Sequence, residues 1–318
     1  MAIPTVYRSD DSSAPVITGT AGALVTALDA ILVNGYGSQS AAGWTAPYTG
    51  TNKRVYRQGS GPQHYLRMDD ADARLARVVG YGSISDIDAA TSSNPFPTSG
   101  QISGGLYCRK SVSADSTARP WICFATDAVF YLFIFGNRSA TLPTAQYDGG
   151  DAHLGFGTLR NTRVSSDINA SFLCASSDTS ATSTTATDVR QCLVSIGSAA
   201  QTTLYLNGSY NQGSSASTNC YKRGAQLYAV SDSGAAGTPF PDQTRGAMML
   251  FPFTALEPTA IARGDFPGLM HIGHAFLSTG VPPHLAIVTG RGDYTGRTFY
   301  MVGAATSWGV AIETSGNW

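Results

Sequence analysis

The sequence predicts a mainly β protein of α+β type: an antiparallel, sandwich-like body with one N-terminal helix and long surface loops. Lysine and glutamate, the residues that usually clothe exposed helices, number only three (Lys53, Lys110, Lys222) and two (Glu257, Glu313) in 318 residues. Short apolar runs alternate throughout with Gly, Pro, Asn and Asp, the punctuation of strands and turns. Only one stretch, with Leu24, Leu28, Ile31 and Leu32 at i, i+4, i+7 and i+8, carries helical periodicity.

Taken in order, residues 1–17 hold Pro4 and Pro15 around a polar Arg8–Ser13 stretch and read as an extended arm of the kind that lies on a neighbouring subunit. The helix follows, with Thr20 placed to cap its start and Asn34-Gly35 to end it. Strands are expected over 54–57, 65–68, 75–81 and 106–109. A hairpin then runs from Trp121-Ile122-Cys123-Phe124 through a turn near Thr126-Asp127 into 129–135, seven consecutive apolar residues. Such a run predicts a strand buried on both faces, between sheet layers. Further strands are expected over 171–174, 192–196, 203–206, 248–253, 285–289, 298–302 and 310–313, with Asn207-Gly208 as a hairpin turn. The polar tracts 175–188 and 213–219 read as surface loops, and the closing Trp318 as a docked tail. The expected division is an arm over 1–17, a helix with antiparallel strands over 18–140, and a β-rich region with long loops over 141–318, which can belong to the same domain.

Composition narrows the function classes. A net charge of −1 gives no electrostatic reason to bind nucleic acid or an anionic membrane. No apolar run reaches the length of a membrane span, and the polar start lacks the features of a signal peptide, so the expectation is a soluble chain made in a cytosol. Five cysteines without close pairs (Cys108, Cys123, Cys174, Cys192, Cys220) read as buried thiols. With 13% charged residues, nearly all Arg or Asp, the surface is poor in lysine and suited to being covered by neighbours.

Catalytic and ligand-binding patterns are weak. Ala305-Thr306-Ser307-Trp308-Gly309 approximates a nucleophile elbow, but the last histidine, His284, precedes it. His271 and His274 fall on opposite faces of a strand, and the cysteines lack zinc-ribbon spacing. No phosphate loop or dinucleotide fingerprint is present, so no enzyme activity, cofactor or metal is expected. Carboxylates cluster at Asp69-Asp70-Asp72 and Asp86-Asp88 beside Lys53, Arg54, Arg57, Arg67, Arg74 and Arg77, which reads as an ion-pair network or a subunit interface. Arg291-Gly292-Asp293 is explained by a glycine-centred turn. Trp44, Tyr48, Tyr210 and Tyr221 are the aromatics that could form stacking platforms in a glycan-binding module, the alternative reading.

The N-terminal third resembles a family of uncharacterised virion structural proteins of tailed bacteriophages, encoded among tail and baseplate genes. The likeness is carried by Val6-Tyr7-Arg8-Ser9-Asp10-Asp11, Leu32-Val33-Asn34-Gly35-Tyr36-Gly37-Ser38, Ala42-Gly43-Trp44, Tyr65-Leu66-Arg67-Met68-Asp69-Asp70, Ala76-Arg77-Val78-Val79-Gly80-Tyr81 and Ala118-Arg119-Pro120-Trp121. Beyond residue 135 only Phe266-Pro267-Gly268-Leu269 and Trp318 echo it. The resemblance implies a particle component, in tail, baseplate or neck, assembled in the host bacterial cytoplasm, present in multiple copies and partnered by other virion proteins. It supplies no active site; charge and composition give no nucleic-acid or membrane partner, and the four aromatics make a host glycan the alternative ligand. A capsid decoration protein and a polysaccharide-degrading enzyme are lesser alternatives. The candidate interface residues are Tyr7, Arg8, Asp10 and Asp11 in the arm, and Arg54, Arg57, Arg67, Asp69, Asp70, Arg74 and Arg77 in the first strands.

Overall fold

The apolar run that begins at Val129 forms the centre of the molecule. Along the strand Val129–Ile134 every side chain is buried, and successive residues point to opposite faces of a sheet. Phe130, Leu132 and Ile134 enter one hydrophobic core, whereas Val129, Tyr131 and Phe133 enter a second. The protein is therefore layered, with this strand in the middle layer. The structure, a computed structural model, describes residues 2–139, 141–143, 151–160, 162, 167–175, 204–208, 221–223, 250–257, 261–272, 284–290, 292–305 and 308–318.

Strands are numbered along the chain. The central sheet has the order β1 (Thr5–Arg8), β9 (Trp121–Ala125), β10 (Val129–Ile134), β11 (Ala152–Thr158), β12 (Ser171–Ala175), β13 (Leu204–Leu206). The expected hairpin is present, with Phe130 opposite Ala125 and Ile134 opposite Trp121. The first sheet runs β2 (Thr45–Gly50), β3 (Lys53–Arg57), β4 (Tyr65–Asp69), β5 (Leu75–Tyr81), β8 (Leu106–Arg109), with the short pair β6 (Ser83–Ile84) and β7 (Ser92–Ser93) beside it. The third sheet runs β14 (Tyr221–Arg223), β15 (Leu250–Glu257), β16 (Ile261–Ile272), β19 (Trp308–Glu313), β18 (Thr298–Ala305), β17 (Ile287–Thr289). All named pairings are antiparallel.

Between the first and central sheets lies the helix α1 (Ala23–Leu28), continued by a π-helical turn, Asp29–Asn34, whose last bond runs from the Gly35 N–H to the Ala30 carbonyl at 2.8 Å. Leu24, Leu28, Ile31 and Leu32 are fully buried, as their spacing requires. The cap differs from expectation. Gly22 precedes the helix without a side-chain cap, and Thr20 Oγ1 pairs with Thr18 Oγ1 instead. The first-turn N–H groups of Leu24 and Val25 donate to Asp70 Oδ2, at 2.8 and 3.2 Å. A carboxylate distant in sequence does the capping, because six α-helical residues cannot hold a turn by themselves.

The central sheet takes strands from all three segments that the sequence separates, so a boundary at residue 140 does not divide the fold: β10 pairs with β11 along its whole length. Within the expected arm, residues 5–8 form the edge strand β1, paired with β9 of the same chain. Trp121 Nε1 donates to the Pro15 carbonyl at 3.0 Å and pins the segment that follows. At the other end Trp318 is docked as expected, with its indole N–H on the Glu313 carbonyl at 2.8 Å and its ring 5.3 Å from that of Tyr131. Gly268, at φ +66, lies under the indole where any Cβ would overlap it, and Tyr131 donates to the Pro267 carbonyl at 3.0 Å. The two C-terminal echoes of the resemblance are thus in contact, in the core between central and third sheets.

Expected elements over 176–188, 192–196 and 213–219, the end of the Asn207-Gly208 turn, and Met248, Cys192 and Cys220 lie outside the described residues. Cys108, Cys123 and Cys174 are buried free thiols, and burial pushes the Cys108 thiol up to about 12.

Candidate functional surface and the polar centre behind it

Strand alternation sorts the predicted interface residues before any contact is considered. On the first sheet Tyr56, Leu66, Met68, Ala76, Val78, Leu106 and Cys108 face inward to the core. Residues of the same parity, Arg54 and Asp70, also turn inward. Arg54 holds Asp29 of the helix through Nε and Nη2, at 2.9 and 2.8 Å, and Tyr56 donates to the same carboxylate at 3.0 Å. Asp70 and Lys110 are both 0% exposed and form an ion pair, the carboxylate being completed by the two helix N–H groups. Asp70 is therefore a correction to the expected interface: it is enclosed within its own chain and holds the helix. Tyr7 is another, since its ring is fully buried and its hydroxyl donates to the Ser40 carbonyl at 2.7 Å. Burial raises the Tyr7 phenol to about 12.

The rest of the arm is accessible but locally engaged. Arg8 makes a bidentate contact with Asp10 at 2.8 Å, which holds the Asp10 carboxyl below its ordinary range. Asp11 accepts from the Arg8 backbone N–H at 2.9 Å, Tyr36 at 2.8 Å and Gln39 at 3.2 Å. Arg74 sits in the turn entering β5, where Asp72 Oδ1 accepts its N–H at 2.7 Å.

Residues of the other parity build the outer face. Arg57 stands opposite Tyr65, and Tyr65 opposite Tyr81; Lys53, Asp69, Arg77 and Tyr107 form a second row. Arg57 lies over the Tyr65 ring, 5.6 Å from its centroid, and Arg77 over Tyr107 at 4.5 Å. Arg77 donates to the Ser103 carbonyl at 3.0 Å and to the Tyr107 hydroxyl, Arg57 to Gln63, and Arg57 Nε is buried without a partner. Neither guanidinium has an ion-pair partner among the described residues. Between the rows the segment carrying β6 and β7 covers Val55, Val79 and Tyr81 with Ile84 and Ile87. Arg67 donates to the Ile87 carbonyl at 2.7 Å and lies 3.7 Å from Asp69 and Asp88, while Lys53 meets Asp88 at 3.0 Å. Of the ion-pair network expected from sequence, Lys53, Arg67, Asp69 and Asp88 come together here, and exposed pairs of this kind stabilise little.

No family model matches the chain, and no curated protein matches it.

Other expected sites resolve unevenly. Trp44 is withdrawn from any stacking role: it is buried, with its N–H on the Thr126 carbonyl at 2.7 Å, and it meets Phe130 edge-on. Tyr48 is half-buried on the outer face. Tyr210, His274, Thr306, Ser307 and Arg291, and the side chains of Tyr221 and His271, lie outside the described residues. Among the described residues no three His, Cys, Asp or Glu side chains gather as a metal site, and no helix is long and apolar enough to cross a membrane. A groove of about 370 Å³ beside the helix start is lined by Val16, Thr18, Thr20, Thr26, Asn52 and Arg54. Its one cation is already held by Asp29, which leaves hydroxyls and an amide to face it.

Sequence reading missed a buried polar centre where the first sheet meets the central one. His64 Nδ1 lies 2.8 Å from Ser171 Oγ of β12, and Nε2 lies 3.2 Å from the Asn207 amide beyond β13. Gln58 accepts the His64 backbone N–H at 3.0 Å and donates to Thr158 Oγ1 of β11 at 2.9 Å and to the Ala128 carbonyl. Ser, His and Asn in a row suggest a nucleophile, but Ser171 is fully buried, and burial pushes the His64 imidazole down to about 4, which makes it a weak base. The cluster is better suited to holding sheets together. Its members lie 107 and 143 residues apart, so no local motif signals them.

Proposed function

We propose that the chain is a structural component of a tailed-bacteriophage particle, in the tail, baseplate or neck, acting through protein–protein contacts made by the outer face of the first sheet. The observation that carries this reading is the pair of guanidinium groups stacked on tyrosines, Arg57 on Tyr65 and Arg77 on Tyr107, neither held by a carboxylate among the described residues. Arginine and tyrosine are enriched where proteins bind one another, because a stacked guanidinium is pre-ordered and keeps donors for a partner. A surface almost without lysine and glutamate supports the same reading, since little side-chain entropy is lost when it is covered. The resemblance of residues 5–135 to phage virion proteins supplies the kind of particle. Mass spectrometry of purified particles tests it: the reading expects this chain in stoichiometric copies, and its absence from particles overturns the reading.

A further inference from the structure

We propose that the junction between the first and central sheets is an acid-released latch centred on His64. The latch is built from groups on every element that meets there. Gln58 follows β3, His64 precedes β4, Thr158 ends β11, Ser171 begins β12 and Asn207 follows β13. Backbone bonds extend it: the Gln58 N–H donates to the His64 carbonyl at 3.1 Å, and the Asn207 N–H to the Ser171 carbonyl at 2.9 Å. Asn207 Oδ1 is buried without a partner as its amide stands; turning the amide half a revolution gives that oxygen the imidazole N–H and leaves Nδ1 to accept from Ser171. In either amide orientation the neutral ring is hydrogen-bonded at both nitrogens, one tautomer serving each, and the far atom of the Asn207 amide is the one left over.

What the junction lacks is a counter-charge. Its immediate partners, Gln58, Thr158, Ser171 and Asn207, are all neutral. The ionisable groups on the packed elements are occupied elsewhere or turned away. Arg57 lies over Tyr65 on the outer face, and Asp127, whose backbone carbonyl accepts from Gly59 and Ser60, adds nothing to the burial that acts on the imidazole. Arg263 holds Asp167 and the Gly208 carbonyl, at 2.9 and 2.6 Å. Tyr81 packs under the β6–β7 segment, Cys174 faces the core with the third sheet, and Tyr205 joins the core with the first. Burial alone moves His64 down to about 4, with no charged neighbour contributing. Hydrogen bonds could still form to a doubly protonated ring, so the cost of acid is the desolvated charge itself. An opened junction exposes the ring at its ordinary value near 6.5. Because the closed state binds its proton less readily, closure is favoured fully above that value and progressively lost as pH falls towards 4.

Hydrogen exchange of the full chain, corrected for intrinsic rates, tests the latch at pH 7 and pH 4. The opening constant of segments 58–64 and 171–175 is expected to rise about a hundredfold in the wild type across that interval. His64→Gln, which keeps a polar group but cannot titrate there, should flatten the rise. His284→Gln should not, although His284 is also pushed down to about 4 by burial. A full rise retained in His64→Gln, or none in the wild type, overturns the proposal. Should the variant fail to fold, NMR titration of His64 in the wild type decides instead: a midpoint near 4 supports the latch and one near 6.5 overturns it.

Discussion

Asp70 and Lys110 face one another in full burial, and although burial raises the Asp70 carboxyl above its ordinary range, the groups around it favour its charged form. Two helix N–H groups and an ammonium surround the carboxylate, so its charge is matched. Lys110→Ala would leave Asp70 buried with the helix donors alone, and a loss of about 3–5 kcal/mol is expected in denaturant unfolding. An Asp70→Asn, Lys110→Met double substitution should recover part of that loss, because no charge remains to be stranded. In the sequence Asp70 passes as one of a cluster of surface carboxylates. Its parity with Leu66 and Met68 was the available signal that it turns inward, and charge clustering masked it. Tyr7 was misassigned for a related reason, since a polar neighbourhood after it suggested a free arm while its own ring is a core residue. Lys53, Arg67, Asp69 and Asp88, by contrast, sit where their charge implied.

At the scale of elements, what was legible depended on how completely a strand is apolar. The β9–β10 hairpin follows its sequence almost residue for residue, because unbroken apolar residues can be satisfied only between two cores. Strands β5 and β8 likewise match their expected bounds. Strands β11 and β16 were missed: Ala152–Thr158 contains His153, Gly155 and Gly157, and Ile261–Ile272 contains Arg263, Gly264, Asp265, Pro267 and Gly268. Those residues are poor strand formers, so neither segment reads as a strand in the sequence. Gly157 lies against Val129, and Gly80 lies under the ring of Phe96, which stacks on Phe156 of the central sheet with centroids 5.9 Å apart. Gly80→Val would push Phe96 out of that stack, and a loss of about 1–3 kcal/mol is expected from overpacking, read as a lowered denaturation midpoint. Trp318→Ala removes the indole seated on Gly268 and should cost about 3–5 kcal/mol by the same measurement.

For the whole molecule, the proposed interface is the outer face of the first sheet, the face turned away from the core it shares with the central sheet. The sequence made the layering legible through its buried run, but not which strands share a sheet, since β1 and β9 are joined across more than a hundred residues. It also could not separate inward from outward arginines without strand registers. If the outer face docks on a neighbour, Arg57→Ala with Arg77→Ala should leave the melting transition within about 0.5 kcal/mol of the wild type, as surface substitutions do. The same pair should lower incorporation into particles at least tenfold, measured by quantitative mass spectrometry. The most direct measurement is the location of this chain in an imaged phage particle at side-chain detail. The account predicts Arg57, Tyr65, Arg77 and Tyr107 covered by another protein; a particle in which that face is open to solvent, or in which the chain is not found, contradicts it.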